Sequence, residues 1–323
     1  MNLMDLHCDT VWRLMDLGGR GDLWENDGAV SLKKLKNKGA VQFFACFLYL
    51  DSMKGTTKEE KYDEGYCHVL SMIRYLKEQV RIYGKETRLV LKPEELEVCG
   101  GDSRTGIVPT VEEGGILNGS LDRLDHLYQE GIRLLTLMWN YENCLGFPNS
   151  KDPAVMERGL KPFGIRTVER MNELGMVIDV SHASDGVFWD VLKYSRKPVA
   201  ATHSNCRALA DHPRNLSDSM LKALGEKGGV AGLNLYGPFL GREKESCLEE
   251  MTEHLLHMIR VGGSDLPAIG TDFDGFDGMD HMDIPDAGGM EKLWDAMKKR
   301  GVTEKQLDLI WAGNARRLWE ENC

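Results

Sequence analysis

The sequence lacks the features that would assign it to several common classes of protein. None of its 323 residues lies in an apolar run approaching about 18 residues, so we expect no membrane-spanning helix. Residues 1–5 carry neither the basic flank nor the apolar core of a signal peptide, and residues 320–323 carry no prenylation or lipid-anchor signal. These absences predict a cytoplasmic protein that has no membrane partner.

Positive charge and paired cysteines are also scarce. The chain has 40 Lys and Arg residues against 51 Asp and Glu residues, a net charge of −11 at pH 7. Because this field repels phosphate backbones, we expect no nucleic-acid partner. The eight cysteines are scattered without a C-x-x-C pair, which excludes a thiolate zinc knuckle, and a disulfide framework is not expected without a secretion signal.

What the sequence does contain is a regular alternation of short apolar runs and amphipathic segments. Strands are predicted at residues 3–7, 40–49, 106–111, 132–138, 176–180, 198–202, 230–235 and 268–271. Helices are predicted at 58–83, 121–129, 164–174, 184–194, 217–227, 248–261, 290–300, 303–310 and 312–319. Eight strands alternating with helices predict an α/β protein with a (β/α)₈ TIM barrel. A doubly wound open sheet is the alternative, but no G-x-G-x-x-G follows the first strand.

The chain is predicted to form a single catalytic barrel domain over residues 1–323. No linker rich in Gly, Pro or Ser and no internal repeat divides it. Residues 51–102 are predicted to be an insertion-like excursion with its own helix and a short strand at 89–91, and residues 290–323 to be C-terminal helices.

Polar side chains that can bind metals follow five of the predicted strands. They are His7 and Asp9, then Glu112 and Glu113, then His182, His203 and finally Asp272 with Asp274. In a barrel these positions meet at the C-terminal rim, where active sites are built. A lone histidine is more often structural, but structural histidines have no reason to fall at successive strand ends.

The spacing of these residues indicates two metal sites. His7 and Asp9 are one residue apart, so on an extended strand they point the same way and could bind one ion. His182 and His203, from neighbouring strands, could bind a second ion, and a carboxylate from the third strand could bridge the two. Imidazole and carboxylate ligands suit zinc, with manganese, iron or cobalt as alternatives, and a two-metal site suits metal-assisted hydrolysis.

Six motifs in this chain together resemble those of the membrane (renal) dipeptidases and their soluble bacterial relatives. They are D-L-H-C-D-T at 5–10, V-E-E-G-G at 111–115, D-V-S-H at 179–182, T-H-S-N at 202–205, R-N-L-S-D at 214–218 and G-T-D-F-D-G at 270–275. The resemblance implies a TIM-barrel metallohydrolase with two Zn²⁺ ions that cleaves small dipeptides, often with a D-residue on the C-terminal side. It also implies a possible homodimer.

The same resemblance implies a role for each residue of the site. His7 and Asp9 would bind the first zinc, and His182 and His203 the second. Glu112 would bridge them, because it keeps the preceding Val111, with Glu113 as the alternative. Arg214 would hold the terminal carboxylate of the substrate, and Asp272 would handle the proton of the bridging water.

One position departs from the family's pattern. Trp139, in T-L-M-W-N at 136–140, occupies the place of a histidine that in mammalian members contacts the scissile carbonyl. An indole cannot transfer a proton, although its N–H, like the amide of Asn140, could donate a hydrogen bond to the substrate. The departure keeps an alternative open, a zinc-dependent hydrolase of another small amide, a lactone or an acylated D-amino acid.

Overall fold

Eight parallel strands close into a barrel in the computed structural model, which describes residues 2–36, 38–96 and 104–323. The strands of the chain are β1 Met4–Cys8, β2 Val41–Phe47, β3 Thr87–Leu89, β4 Thr105–Glu112, β5 Leu134–Thr136, β6 Val177–Asp179, β7 Ala200–Ala201, β8 Val230–Leu233, β9 Glu245–Ser246, β10 Pro267–Ile269 and β11 His281–Met282. The barrel order is β1, β2, β4, β5, β6, β7, β8 and β10, and pairing of β10 with β1 completes the circle. The predicted (β/α)₈ barrel is therefore confirmed.

Helices surround the barrel on its outer side. The α-helices are Thr10–Asp16, Leu32–Leu35, Lys58–Ile82, Leu121–Gln129, Pro153–Met156, Pro162–Leu174, Asp185–Tyr194, Asp218–Glu226, Gly237–Leu240, Leu248–Gly262, Glu291–Lys299, Glu304–Asp308 and Asn314–Asn322. A π-helical turn, Leu309–Gly313, joins the last two. In the described part of the chain, no helix combines the length and the apolarity needed to cross a bilayer.

Local sequence signals explain where the longer helices begin. Thr57 caps the helix Lys58–Ile82 by accepting a hydrogen bond from the backbone N–H of Glu60, whose side chain caps Thr57 in return. Ser184 and Ser217 cap two further helices, because their hydroxyl oxygens accept hydrogen bonds from backbone N–H groups of the first turn. These helices begin within a residue of the predicted starts, because the capping residues are visible in the sequence.

The predicted excursion at residues 51–102 extends the sheet. Its strand lies at Thr87–Leu89, two residues before the predicted 89–91, and pairs in parallel with the start of β4. Residues 97–102 of the predicted excursion lie outside the described residues. Among the described residues, short helices that were not predicted include Thr10–Asp16, Leu32–Leu35, Pro153–Met156 and Gly237–Leu240, and the two-stranded sheet of β9 and β11 was not predicted either.

Apolar side chains fill the lumen of the barrel. One cluster of buried residues takes members from each of the eight barrel strands and from the helix Asn314–Asn322. Trp319 of this helix contacts Phe43 of β2 edge-to-face, with ring centroids 5.5 Å apart. Asn322 and Arg317 donate to the carbonyls of Pro198 and Asp265, which precede β7 and β10. The helix therefore closes the end of the barrel where the strands begin, and the opposite end stays open.

Candidate active site

Five side chains from four strand ends converge at the open end of the barrel, which we call the rim. Nε2 of His7 lies 3.2 Å from Asp9 Oδ2 and 3.4 Å from Glu112 Oε2. Nε2 of His182 lies 3.0 Å from Glu112 Oε1, and Nε2 of His203 lies 3.5 Å from the same oxygen. All five residues are buried. The structure thus brings together the whole predicted ligand set, with the Glu112 carboxylate between the two pairs.

The two consecutive glutamates have separate surroundings. Glu112 is the last residue of β4 and points into the cluster, whereas Glu113 adopts a left-handed backbone conformation with φ 91°. The Glu113 carboxylate accepts hydrogen bonds from the Tyr62 hydroxyl, the Asn143 amide and the backbone N–H groups of Gly115 and Trp139. Glu113 therefore holds the loop after β4 in place, and Glu112 alone of the two points into the cluster.

His7 and Asp9 meet for a different reason from the one expected. Strand β1 ends at Cys8, and its pairing with β2 shifts register between Asp5 and Cys8, which re-aims the side chains there. Asp9 is not on an extended strand, because it precedes the helix Thr10–Asp16 with φ −104° and ψ 20°. The pair lies together because the chain turns from strand into helix at the rim.

The two later histidines are oriented by the partners of their other ring nitrogens. Nδ1 of His182 lies 3.1 Å from Asn140 Oδ1, and Nδ1 of His203 lies 2.8 Å from the Thr202 hydroxyl. Burial lowers the pKa of both histidines well below its usual value, and the positive charges of Arg214 and His7 add to this. Both rings are therefore neutral, the form in which imidazole binds a metal.

The donor atoms of the cluster fit a pair of cations. The Nε2 atoms of His182 and His203 face each other at 3.0 Å. Oε1 of Glu112 and Oδ1 of Asp9 are buried and have no hydrogen-bond partner within the described ranges. Acceptors packed this closely repel one another unless a positive charge lies between them. His7, Asp9 and Glu112 form one group that could hold a metal ion, and Glu112, His182 and His203 form another.

Asp272 lies beside this cluster and is held by a residue that the sequence analysis missed. Its Oδ1 is 3.8 Å from Nε2 of His7, and its Oδ2 accepts a hydrogen bond of 2.8 Å from the Asn234 amide. Burial raises the pKa of Asp272, partly offset by His7. Asn234 directly follows β8, so the strand-end rule that found the histidines would have found it too. Gly275 leaves room here, because a Cβ at that position would clash with Asp9 and Asp272.

Asp274, the other carboxylate of the last motif, faces away from the cluster. Its oxygens accept hydrogen bonds from the Thr10 hydroxyl at 2.6 Å and from the backbone N–H of Ala29 at 2.7 Å. It therefore fastens the loop after β10 to the first helix. Asp274, which the sequence placed among the side chains that can bind metals, therefore has a structural role.

Arg214 reaches the rim from the loop that follows β7. Its guanidinium donates to Ser204 Oγ at 3.1 Å and to the carbonyl of His203 at 3.4 Å. Its Nε atom is buried and has no hydrogen-bond partner in the part of the chain that the structure describes. Burial lowers the pKa of Arg214 to about 10, so it remains a cation at neutral pH. A buried cation with an unused donor is suited to a carboxylate.

Trp139 and Asn140 border a cavity of about 430 Å³ at the rim. The cavity is lined by Asp9, Trp12, Leu17, Phe47, Tyr49, Glu112, Trp139, Asn140, His182, Tyr236, Phe239, Asp272, Gly275, Phe276 and Asp277. Asn140 contacts His182, as described above, and the Trp139 ring centroid is 6.1 Å from that of His182. Most of the other aromatic residues were missed. Trp12 and Phe239 lie in short helices that were not predicted, and an aromatic residue in a loop, such as Tyr49, has no periodic signal that separates it from core packing.

Comparisons with known proteins extend over the whole chain. The sequence matches the profile of the membrane dipeptidase family (peptidase family M19) over residues 1–322. An uncharacterised protein from the pqqA 5′ region of Klebsiella pneumoniae is 32% identical over 260 residues, 76% of this chain and 94% of its own. An uncharacterised dipeptidase of Schizosaccharomyces pombe is 27% identical over 307 residues, 90% of this chain and 71% of its own.

Two solved structures share the fold along its full length. The structure of dipeptidase AC, a metallopeptidase of family M19, has a TM-score of 0.89 and 26% identity, covering 100% of this chain and 98% of its own. A metallopeptidase from Rhodobacter sphaeroides, solved with a phosphinate mimic of the dipeptide L-Ala-D-Ala, has a TM-score of 0.87 and 25% identity, covering 100% and 99%. The similarity therefore covers the whole barrel and is not limited to the motifs.

Proposed function

This chain belongs to the membrane dipeptidase family and is a metal-dependent hydrolase, and from that premise we propose that it cleaves small dipeptides at a two-metal site on the rim. The observation that carries the proposal is the convergence of His7, Asp9, His182 and His203 on one carboxylate, that of Glu112. The buried cation Arg214 lies next to this cluster. Such a site can hold both the scissile bond and the charged end of a dipeptide.

Zinc is the metal that we propose, because imidazole and carboxylate donors are its usual nitrogen and oxygen ligands. His7 and Asp9 would hold one ion, His182 and His203 the other, and Glu112 would contact both. When bound, the ions would polarise the scissile carbonyl and lower the pKa of the attacking water.

Arg214 is proposed to bind the C-terminal carboxylate of the substrate. The guanidinium is held by Ser204 and by the carbonyl of His203, so its position is set before substrate binds. A bidentate contact from a fixed guanidinium adds both affinity and orientation. His203 is also a proposed metal ligand, so the contact of its carbonyl with Arg214 would set the distance between the substrate carboxylate and the scissile bond. That fixed distance would favour dipeptides over longer peptides.

Asp272 is proposed to carry the proton during hydrolysis. Its Oδ1 faces the cluster, and the Asn234 amide holds its other oxygen. Because burial raises the pKa of this carboxyl group, Oδ1 can accept a proton from the attacking water near neutral pH. The same oxygen would then deliver that proton to the leaving amine of the C-terminal residue.

The stereochemistry of the substrate is proposed from a relative. The structure of the Rhodobacter sphaeroides metallopeptidase was solved with a mimic of L-Ala-D-Ala. The structural match covers 100% of the present chain. We therefore expect this chain to accept a D-residue on the C-terminal side of the scissile bond.

A panel of L,L- and L,D-dipeptides, incubated with zinc-loaded protein, tests the proposed function by following released amino acids. We expect cleavage of free dipeptides and poor cleavage of the matching dipeptide amides, which lack the carboxylate. Absence of cleavage by protein that binds two zinc ions would contradict a dipeptide substrate. The search would then move to other amides, lactones and acylated D-amino acids, the alternative that Trp139 leaves open.

A further inference from the structure

Two cavities at the rim share part of their lining and form the two halves of one cleft. A second cavity, also about 430 Å³, lies on the Arg214 side and shares Asn140, His182, Tyr236 and Phe239 with the first. The volumes suit small-molecule sites. A molecule held across the shared border would therefore place one end in each cavity and its middle beside His182.

The order of the strands sets the direction of the cleft. Around the barrel β2 and β7 are four steps apart, so they stand on opposite sides of the eight-stranded ring. Arg214 donates hydrogen bonds to His203 and Ser204, shortly after the end of β7, whereas Phe47 is the last residue of β2. A dipeptide whose carboxylate binds Arg214 therefore extends its N-terminal residue across the rim towards the end of β2.

Aromatic rings form the wall at the β2 side. The Trp139 ring lies 5.1 Å from that of Phe47 and 5.9 Å from that of Tyr49, and Trp12 lies 5.0 Å from Phe47, centroid to centroid. Tyr49 is 39% exposed and Leu17 at the mouth is 47% exposed, so apolar surface there is open to a ligand. Covering such surface with an apolar group is favourable.

The charges of the two halves differ in sign. On the Arg214 side the lining includes Lys151 and Arg214. On the aromatic side no Lys or Arg is among the described residues that line the cavity. Of its carboxylates, Asp9 and Glu112 are proposed metal ligands whose charge the ions would neutralise, which leaves those of Asp272 and Asp277 to act on a substrate. This half suits a positively charged amino group and an apolar side chain, and it disfavours an acidic side chain.

We propose that the substrate carries a large apolar side chain, such as Phe or Leu, on its N-terminal residue, and that Trp12, Phe47, Tyr49 and Trp139 form its binding subsite. This inference rests on the proposed function and narrows it to one class of dipeptide. Trp139 then acts as a specificity residue, in the place of the histidine that the family pattern has there.

The test compares kcat/KM for a series of X-Ala dipeptides in which X is Phe, Leu, Gly or Asp. Burial of an apolar substrate side chain raises kcat/KM by several-fold to about a hundredfold. We therefore expect kcat/KM for Phe-Ala and Leu-Ala to exceed that for Gly-Ala by on the order of 10–100-fold, and kcat/KM for Asp-Ala to lie below that for Gly-Ala. Trp139→Ala and Tyr49→Ala should each reduce the Phe-to-Gly ratio several-fold. Trp189→Ala is the matched control, since Trp189 is 43% exposed on the helix Asp185–Tyr194, and it should leave the ratio unchanged.

The outcomes separate the two levels of the proposal. Equal rates for all four dipeptides, or a preference for Asp, would overturn the aromatic subsite and leave the dipeptidase activity intact. Failure to cleave any member of the series would instead contradict the proposed function. A Phe-to-Gly ratio of kcat/KM that stays at the wild-type value in Tyr49→Ala and in folded Trp139→Ala would also refute the subsite. Tyr49 is partly exposed, so Tyr49→Ala still provides the test if Trp139→Ala does not fold.

Discussion

The two ends of the barrel differ in what they bury. The closed end buries apolar rings, such as Trp319 against Phe43, under a helix that donates hydrogen bonds to the chain before β7 and β10. The rim buries histidines and carboxylates, with acceptor atoms of Asp9 and Glu112 left without partners in the described chain. Folding free energy comes from the first kind of burial, whereas the second kind lowers stability and prepares a binding site.

Backbone conformation shows the same contrast. His182, Asp272 and Asp274 have φ values of 67°, 61° and 67°, in the left-handed region that residues with a Cβ rarely adopt. All three lie on loops that leave the rim, shortly after β6 or β10. Strained residues persist where the surrounding structure over-determines them, which is typical of functional sites.

The largest expected effect comes from removing a rim histidine. In His203→Ala or His182→Ala, metal content should fall and dipeptide hydrolysis should drop to background, at least about 10³-fold, because the proposed second ion would lose one of its two imidazole ligands. Metal analysis and initial rates check this together. The metal-free variant should stay folded by circular dichroism, and full activity with full metal content in both variants would contradict the assignment.

A large effect on stability, with a small effect on chemistry, is expected at the closed end. Trp319→Ala removes a ring that is 1% exposed, so it should lower the free energy of unfolding by about 3–5 kcal/mol. Denaturant melts measure this, and kcat of the folded fraction should change less than threefold. Trp189→Ala, at an exposed tryptophan, is the control and should shift stability by about 0.5 kcal/mol or less. Equal losses of unfolding free energy in Trp319→Ala and Trp189→Ala would contradict the proposed difference between the closed end of the barrel and the rim.

The smallest of the three effects concerns mainly the binding of substrate. Arg214→Ala should raise KM for free dipeptides about 10–100-fold, with a smaller change in kcat, because a charge-assisted contact to the carboxylate is worth about 1.5–3 kcal/mol. Dipeptide amides should show no such rise, since they lack the carboxylate. An unchanged KM for free dipeptides would refute the carboxylate clamp.

Much of the barrel could be predicted from the sequence because its strands are buried on both faces. Buried parallel strands appear as continuous apolar runs, and each of the eight predicted runs overlaps a barrel strand. Their ends could not be predicted as well. The run predicted at 132–138 contains only Leu134–Thr136 as strand, because the chain stays buried after its ladder hydrogen bonds end.

The residues of the candidate site that lie at the ends of barrel strands could be predicted from the sequence. His182, His203 and Glu112 meet because parallel strands bring their carboxyl ends to the same rim. The separate positions of Glu112 and Glu113 depend on the left-handed backbone of Glu113. Family resemblance, not periodicity, favoured Glu112, which is the one that lies close to the histidines. The aromatic wall was not predictable, because Trp12, Tyr49 and Trp139 come from a short helix and two separate loops, and only the folded chain brings them together.

Anomalous diffraction from crystals of the zinc-loaded protein would test the central claim most directly. The account predicts two zinc peaks roughly 3.5–4 Å apart, one beside His7 and Asp9 and the other beside His182 and His203, with the Glu112 carboxylate contacting both. A single peak, no peak at the rim, or a pair bridged by Glu113 would contradict it.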